Sequence, residues 1–425
     1  MTSFTATGDA LILEHFPRHD TGYEAIRAHI SRADVRMTNL ETVIADEPHF
    51  ANTFSGGGWI TAPSAVLDDL QDLNFNFYAC ANNHAMDYAH GGLLSTIRHL
   101  KARGLLYAGI GENLSLASQP AFVQTPEGRV ALFSVGCLYE HQNGARAGDS
   151  HDGLPGRPGL NLLRRNCFIR VTEEQFRVYS EIAEMAGAYK TAEGGYCIDN
   201  RHTILPAKAG ERVGRYTTPN AFDMHRITEQ IKASREIAGR AIVTMHAHAN
   251  KLIESYIDET EPDYYLEEFV HACIDAGADA VIGSGCHQLR GIEIYRGKPI
   301  FYSLGNFVFT VGNMYFRLPS EYMETCSLPY LTPGPLAAAS KVSYDAALGG
   351  DPVYYRSVIP YWEMEGDKLT RLELLPIELN RTGVPGIKGF PQPCDPGIIL
   401  PGLQRACEPF GTGLEICGDK ILVML

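Results

Sequence analysis

No run of the 425 residues stays apolar for the roughly 18 positions that a membrane helix needs, and the opening segment MTSFTATGDALIL reads as a strand rather than a leader. A soluble, cytoplasmic chain without a membrane segment is therefore expected. The ten cysteines, at 80, 137, 167, 197, 273, 286, 326, 394, 407 and 417, form no CxxC pair and lie scattered through apolar stretches. This pattern argues against a disulfide framework and against zinc knuckles, and most of the thiols are expected to be small buried hydrophobes. Basic runs are missing as well. With 36 Lys+Arg against 50 Asp+Glu the net charge is −14, which repels a phosphate backbone, so no nucleic-acid partner is expected. Internal repeats and low-complexity tracts are also absent.

What is present is an ordinary globular composition, 45% hydrophobic and 20% charged, in a chain long enough for one decorated α/β domain or for two. Up to about residue 137, strand-like runs (35–40, 75–80, 130–136) alternate with amphipathic helical ones (21–31, 63–73, 91–103). That rhythm predicts right-handed crossovers and a largely parallel sheet. Residues 138–220 break it with a Gly/Pro/Arg segment, a helical stretch over 172–188 and a polar run to Pro219, and read as an insertion near the site. The alternation resumes with a helix over 224–237, a strand over 240–245, a helix over 264–276 and a strand over 280–282. Residues 1–310 thus form the main unit. Residues 311–425 form an extension with an irregular Pro-containing region and an antiparallel pair (354–365 and 368–379) completing the same domain.

In parallel sheets, ligands sit beyond the carboxyl ends of strands. Asp9 (ATGDA), Glu41 (TNLET) and Asn83-His84 (CANNHAMD) all fall there, as do His246-Ala247-His248, Cys286-His287 and Gly305-Asn306. Each has a bland reading: Asp9 and Asn83 as caps, Glu41 as a solvated loop carboxylate, the histidines and Cys286 as satisfied core residues. Several strand ends carrying Asp, Glu, Asn and His nevertheless point to one active site. Asp87 is expected to orient His84 or to start a helix, and Glu293 and Asn306 to shape the wall.

The ordered strings GD, NLE, NNHAMD, a strand ending in His246, and GSGCHQLRGIEIYRGKPIFYSLGNFVF resemble the bacterial CapA-like proteins, named for poly-γ-glutamate capsule synthesis. That family is similar in fold to calcineurin-like metallophosphoesterases, and the likeness spans roughly residues 1–135 and 220–310. The resemblance implies a four-layered αββα sandwich with metals at the strand ends. It would make Asp9, Asn83, His246 and His287 metal ligands, Glu41 the bridging carboxylate, and His84 the general acid or charge stabiliser. Carboxylate, amide oxygen and imidazole together suit Mn, Zn or Fe. The chain departs from the family pattern where a histidine is Gly285 and the adjoining proline Cys286, where Leu11 stands two after Asp9, and at His246-Ala247-His248. The lost imidazoles leave two ions, one or none open. His248, on the same strand side as His246, is a substitute ligand or catalytic group, and a Cys286 thiolate is a candidate base or nucleophile.

Three functions follow. The first is metal-assisted hydrolysis of an amide or phosphoester in a peptide-like, glutamyl or other anionic substrate. The second is cofactor-independent epimerisation at a peptide Cα on a degenerate metal site, as the resemblance permits. The third is a non-catalytic capsule-polymer assembly subunit working beside a pathway partner protein. Arg157, Arg164 and Arg165 in the insertion are solvated charges or a clamp for a carboxylate or phosphate.

Overall fold

The computed structural model describes residues 1–17, 21–197, 199, 201–251, 261–310, 319, 324, 351–381 and 387–425. The irregular region read between 311 and 350 therefore lies almost wholly outside the described residues. In chain order the elements used below are β1 (Thr2–Leu11), α1 (Thr21–Ile30), β2 (Val35–Leu40), α2 (Val66–Asp72), β3 (Phe77–Ala79), α3 (Ala89–Ala102) and β4 (Gly128–Cys137). The insertion carries β5 (Arg165–Val171), α4 (Glu173–Met185), β6 (His202–Pro206) and β7 (Gly214–Pro219). Then follow α5 (Ala221–Ser234), β8 (Arg240–Ala247), α6 (Tyr264–Asp275), β9 (Ala280–Gly285), β10 (Lys298–Phe301), β11 (Asn306–Phe309), β12 (Arg356–Glu365) and β13 (Lys368–Leu379).

Two sheets form the centre. In the ten-stranded one, β1 is flanked in parallel by β2 and β11, β2 by β3, and the antiparallel pair β12–β13 adds to β1. In the six-stranded one, β4, β8, β9 and β10 run parallel. The strands are buried along almost their whole length because both of their faces are covered. Phe4, Met37 and Phe77 of the first sheet share one core with Leu132, Ile242 and Ile282 of the second, so the sheets stack face to face. Ile26, Leu67, Leu70, Leu93 and Ile97 of α1–α3 bury against the outer face of the first sheet. Ile227, Ile231, Phe269 and Val270 of α5 and α6 bury against that of the second. The order is helix, sheet, sheet, helix, the αββα sandwich expected from the sequence.

The insertion is more regular than its polar composition suggests. It forms a five-stranded sheet in which β5 pairs with β6 in parallel, through α4, and with β7 antiparallel. Its strands are short and half-buried, so they show neither strict alternation nor an apolar run. Helix α4 begins with a capping box, Thr172 with Gln175, that the sequence displays openly. No helix among the described residues is long and apolar enough to cross a membrane.

Candidate active site

The chemistry-bearing side chains converge where β1, β2, β8 and β9 end. Register places Asp9 opposite both Asn39 and Asn306, and His246 opposite Ser284. Gly8 permits this convergence, since a Cβ there would stand 1.8 Å from the Gly305 carbonyl oxygen, to which Asp9 donates its N–H at 3.0 Å.

Two carboxylates, both 0% exposed, anchor the cluster and differ in their surroundings. Asp9 Oδ1 accepts from Asn39 Nδ2 at 2.8 Å and Oδ2 from the Gly285 N–H at 2.9 Å, with His246 Nδ1 at 3.4 Å and His287 Nδ1 at 3.6 Å. Burial alone would raise its pKa. The hydrogen bond and charge of His246, then the charge of His287, outweigh that and hold the carboxyl below the usual range. Neither oxygen of Glu41 accepts a hydrogen bond among the described residues. Oε1 lies 3.5 Å from His246 Nε2 and 4.0 Å from His84 Nε2. Burial, and then the Asp9 charge, push the Glu41 carboxyl well up.

Imidazoles surround this pair. His246 Nδ1 meets Asn39 Nδ2 at 3.1 Å and Ser284 Oγ at 3.2 Å, and Nε2 is 2.7 Å from Asn83 Oδ1. His248 projects from the same side of the strand, its ring centroid 5.3 Å from that of His246 and 5.5 Å from that of His287. Its Nε2 is buried without a partner among the described residues, and burial followed by the neighbouring imidazoles holds it well below the ordinary histidine range, hence neutral. His287 adopts a left-handed φ of 60°, a conformation that costs a non-glycine residue on the order of 1 kcal/mol, with Nδ1 at 2.8 Å from Asn306 Oδ1. His84 Nδ1 donates to Asp87 Oδ2 at 2.7 Å, and Asp87 also accepts the N–H groups of Gly56 (3.2 Å) and Ile60 (2.9 Å).

These groups fit a divalent cation. The ligand atoms of Asp9, Glu41 and His246 lie within 4.8 Å of one another, those of Glu41, His248 and His287 do the same, and Glu41 belongs to both sets. A buried carboxylate without donors and a neutral imidazole nitrogen without a partner are what a hard-to-borderline cation would satisfy. The departure at Gly285 has a steric basis: its φ is +114°, and a Cβ would meet the Ala247 backbone at 2.7–2.9 Å. Its N–H reaches Asp9 instead.

Other predicted residues lie elsewhere. Cys286 is buried, its thiol donates to the Gln288 carbonyl at 3.4 Å, and it joins neither ligand set. Glu293 pairs with His271 and Tyr302 instead of facing the cluster, while Asn306 holds His287 and donates to the Tyr354 carbonyl. Leu11 is packed in the core beside α1 and α2. Arg157 is exposed and donates to the Arg146 carbonyl; Arg164 binds Asp223, and Arg165 binds Glu140 and Asp263. Sequence reasoning missed Asn39, two residues before Glu41 and so marked by a period-2 signal, and Ser284, which reaches the site through its register opposite His246. Tyr139, whose ring lies 5.7 Å from that of His248, carried no such signal.

An αββα sandwich with a buried carboxylate and imidazole cluster at its strand ends defines the class. The chain belongs to the family described as bacterial capsule synthesis protein PGA_cap, whose profile matches residues 3–311. It is 32% identical over 438 aligned residues to the uncharacterized protein y4sH of Sinorhizobium fredii, covering 97% of this chain and 91% of that one. It is 27% identical over 243 residues to the PGA biosynthesis protein CapA of Bacillus subtilis, covering 57% of this chain and 45% of that relative, so the match spans about half of the latter's length. Among solved structures, a hypothetical protein from Thermus thermophilus aligns with 88% of this chain and 99% of its own, at 12% identity and a TM-score of 0.37.

Proposed function

We propose that this protein is a metal-assisted hydrolase of an amide or phosphoester in a peptide-like or anionic substrate, with Asp9, Glu41, Asn83, His246, His248 and His287 holding the cation. The observation that carries this reading is Glu41, fully buried, with no donor on either oxygen among the described residues and common to both ligand sets. A divalent ion such as Mn, Zn or Fe, when bound, supplies Lewis acidity and lowers the pKa of water. The protein's own groups do the rest. Asp87 fixes the orientation of His84 by accepting its Nδ1–H, which leaves Nε2 turned toward Glu41. In its cationic form His84 hands the Nε2 proton to the leaving group, a general-acid role worth on the order of 10²–10⁴ in rate. Asn39 and Ser284 hold the orientation of His246, and Asn306 that of His287. The test is elemental analysis of the purified protein alongside turnover of p-nitrophenyl phosphate and of peptide amides. Stoichiometric metal and turnover lost in chelator support the reading, and a metal-free protein that remains active ends it.

One observation favours a second reading. Asp9 is closed by protein donors, including the Gly285 N–H in place of a side chain. An acid/base pair of His84 and His287 would then serve a cofactor-independent epimerase, one group removing the Cα proton and the other returning a proton to the opposite face. Solvent deuterium entering a peptide Cα without hydrolysis selects this reading.

A further inference from the structure

Beside the strand-end cluster, a polar cleft of about 390 Å³ opens between the insertion sheet and the segment after β4, within the usual size range of ligand sites. It adjoins the cluster through aromatic rings. Tyr139 lies 5.7 Å from His248 on one side and stacks on His141 at 5.8 Å on the other, while the Arg165 guanidinium stands 5.9 Å from the Tyr139 centroid.

Three arginines line the cleft, in three different states. Arg165 is consumed by Glu140 and Asp263 and is almost fully buried. Arg164 binds Asp223, but Arg146 and Arg226 converge on that same carboxylate, so cations exceed anions there by two. Arg201 is exposed, its backbone N–H is spent on Asp199, and its side chain makes no hydrogen bond or ion pair among the described residues. Arg201 is nevertheless part of the cleft wall, and burial, then its charge, hold the nearby His141 below the ordinary imidazole range.

We propose that this cleft binds a carboxylate of the substrate chain, with Arg201 as the principal cation and Arg164 as the second. The assignment rests on the reading of the strand-end cluster as an active site for peptide-like molecules. A guanidinium fork takes carboxylate and phosphate alike, and the charge balance of the lining chooses between them. Counted with the charged groups around them, the lining arginines belong to a set of six cations (Arg146, Arg164, Arg165, Arg201, Arg215, Arg226) against five anions (Glu140, Glu193, Asp199, Asp223, Asp263), which leaves room for one negative charge rather than the two of a phosphate. Asn143 and Thr203 on the wall offer the mixed donors and acceptors that peptide amides require. The carboxylate belongs either to a chain terminus or to an acidic side chain.

The test is calorimetric titration of the full chain with four probes: acetyl-trialanine as free acid, the same peptide as its amide, acetyl-Ala-Glu-Ala amide, and inorganic phosphate. Parent and Arg201→Gln are compared; the side chain is exposed and has no partner among the described residues, so the variant is expected to fold. One or both acid peptides should bind the parent, at least tenfold more tightly than Arg201→Gln, with Arg201→Lys recovering part of the loss. The free-acid peptide binding best assigns a chain terminus, and acetyl-Ala-Glu-Ala amide binding best assigns a side chain. Equal binding to parent and Arg201→Gln, no binding of either acid peptide to the parent, or phosphate binding more tightly than both overturns the proposal. Repeating the titration on Glu41→Gln in chelator separates the two readings. Arg201-dependent binding that persists while metal-dependent turnover is never found keeps the cleft and removes the hydrolase, and turnover without Arg201-dependent binding does the reverse.

Discussion

The strand ends and the insertion seam treat buried carboxylates in opposite ways. At the seam, Asp223 receives Arg146, Arg164 and Arg226, and Asp263 receives Arg165, Arg215 and the Thr217 hydroxyl. At the strand ends, Asp9 and Glu41 lie side by side, and among the described residues no lysine or arginine binds either and no donor reaches Glu41. An ion buried without a partner costs several kcal/mol, so a fold that supplies guanidiniums freely elsewhere gains nothing in stability by withholding them here. The seam is built to hold the insertion in place. The strand ends leave Glu41 without a donor among the described residues, as the proposed cation site requires.

The comparison can be broken by four measurements. Glu41→Gln keeps the shape and removes the charge, and steady-state turnover is expected to fall by about 10³-fold, roughly 4 kcal/mol of barrier. Asp223→Ala leaves three guanidiniums around an empty space, and urea unfolding should show a loss of about 3 kcal/mol, as when one member of a buried pair is removed. Glu373 is a third buried carboxylate of the seam kind, held by Arg32, Arg371 and Lys420, its pKa lowered to about 2 by these partners against the opposing effect of burial. Because its folded pKa is depressed, its contribution is present above the unfolded value of about 4.5 and is lost as pH falls toward 2. Glu373→Gln should therefore cost about 2 kcal/mol at pH 7 and flatten the decline in melting temperature between pH 5 and 2. The smallest effect is the most diagnostic. In chelator, Glu41→Gln should melt a few degrees above the parent, roughly 1 kcal/mol, because a carboxyl whose folded pKa is raised by burial and by Asp9 costs stability above its unfolded value, and glutamine does not titrate. A lower melting temperature would place Glu41 with the seam carboxylates.

The site was legible in the sequence to the extent that it is local. Asp9, Glu41, Asn83, His84, His246 and His287 each follow an apolar strand, and a parallel sheet gathers such ends whatever the intervening length. Asn39 could have been read from its strand by alternation with Glu41, whereas Ser284 is brought in by pairing opposite His246, which a single strand does not announce. The seam could not, because its pairs join residues far apart in the chain, as Arg146 to Asp223 or Arg165 to Asp263, and nothing local in an arginine announces its partner. The insertion's sheet was hidden for a related reason: half-buried strands of five to seven residues lack the apolar periodicity that marked the core.

Gly285 carries a consequence for engineering. Since any side chain there would strike the backbone of the adjoining strand at Ala247, a histidine at this position cannot simply be added to the cluster. Seating it would require the strand end bearing His246 and His248 to shift as well, which would disturb the two imidazoles beside it. The make-up of this corner is thus held in main-chain geometry, and one substitution cannot enlarge its set of rings.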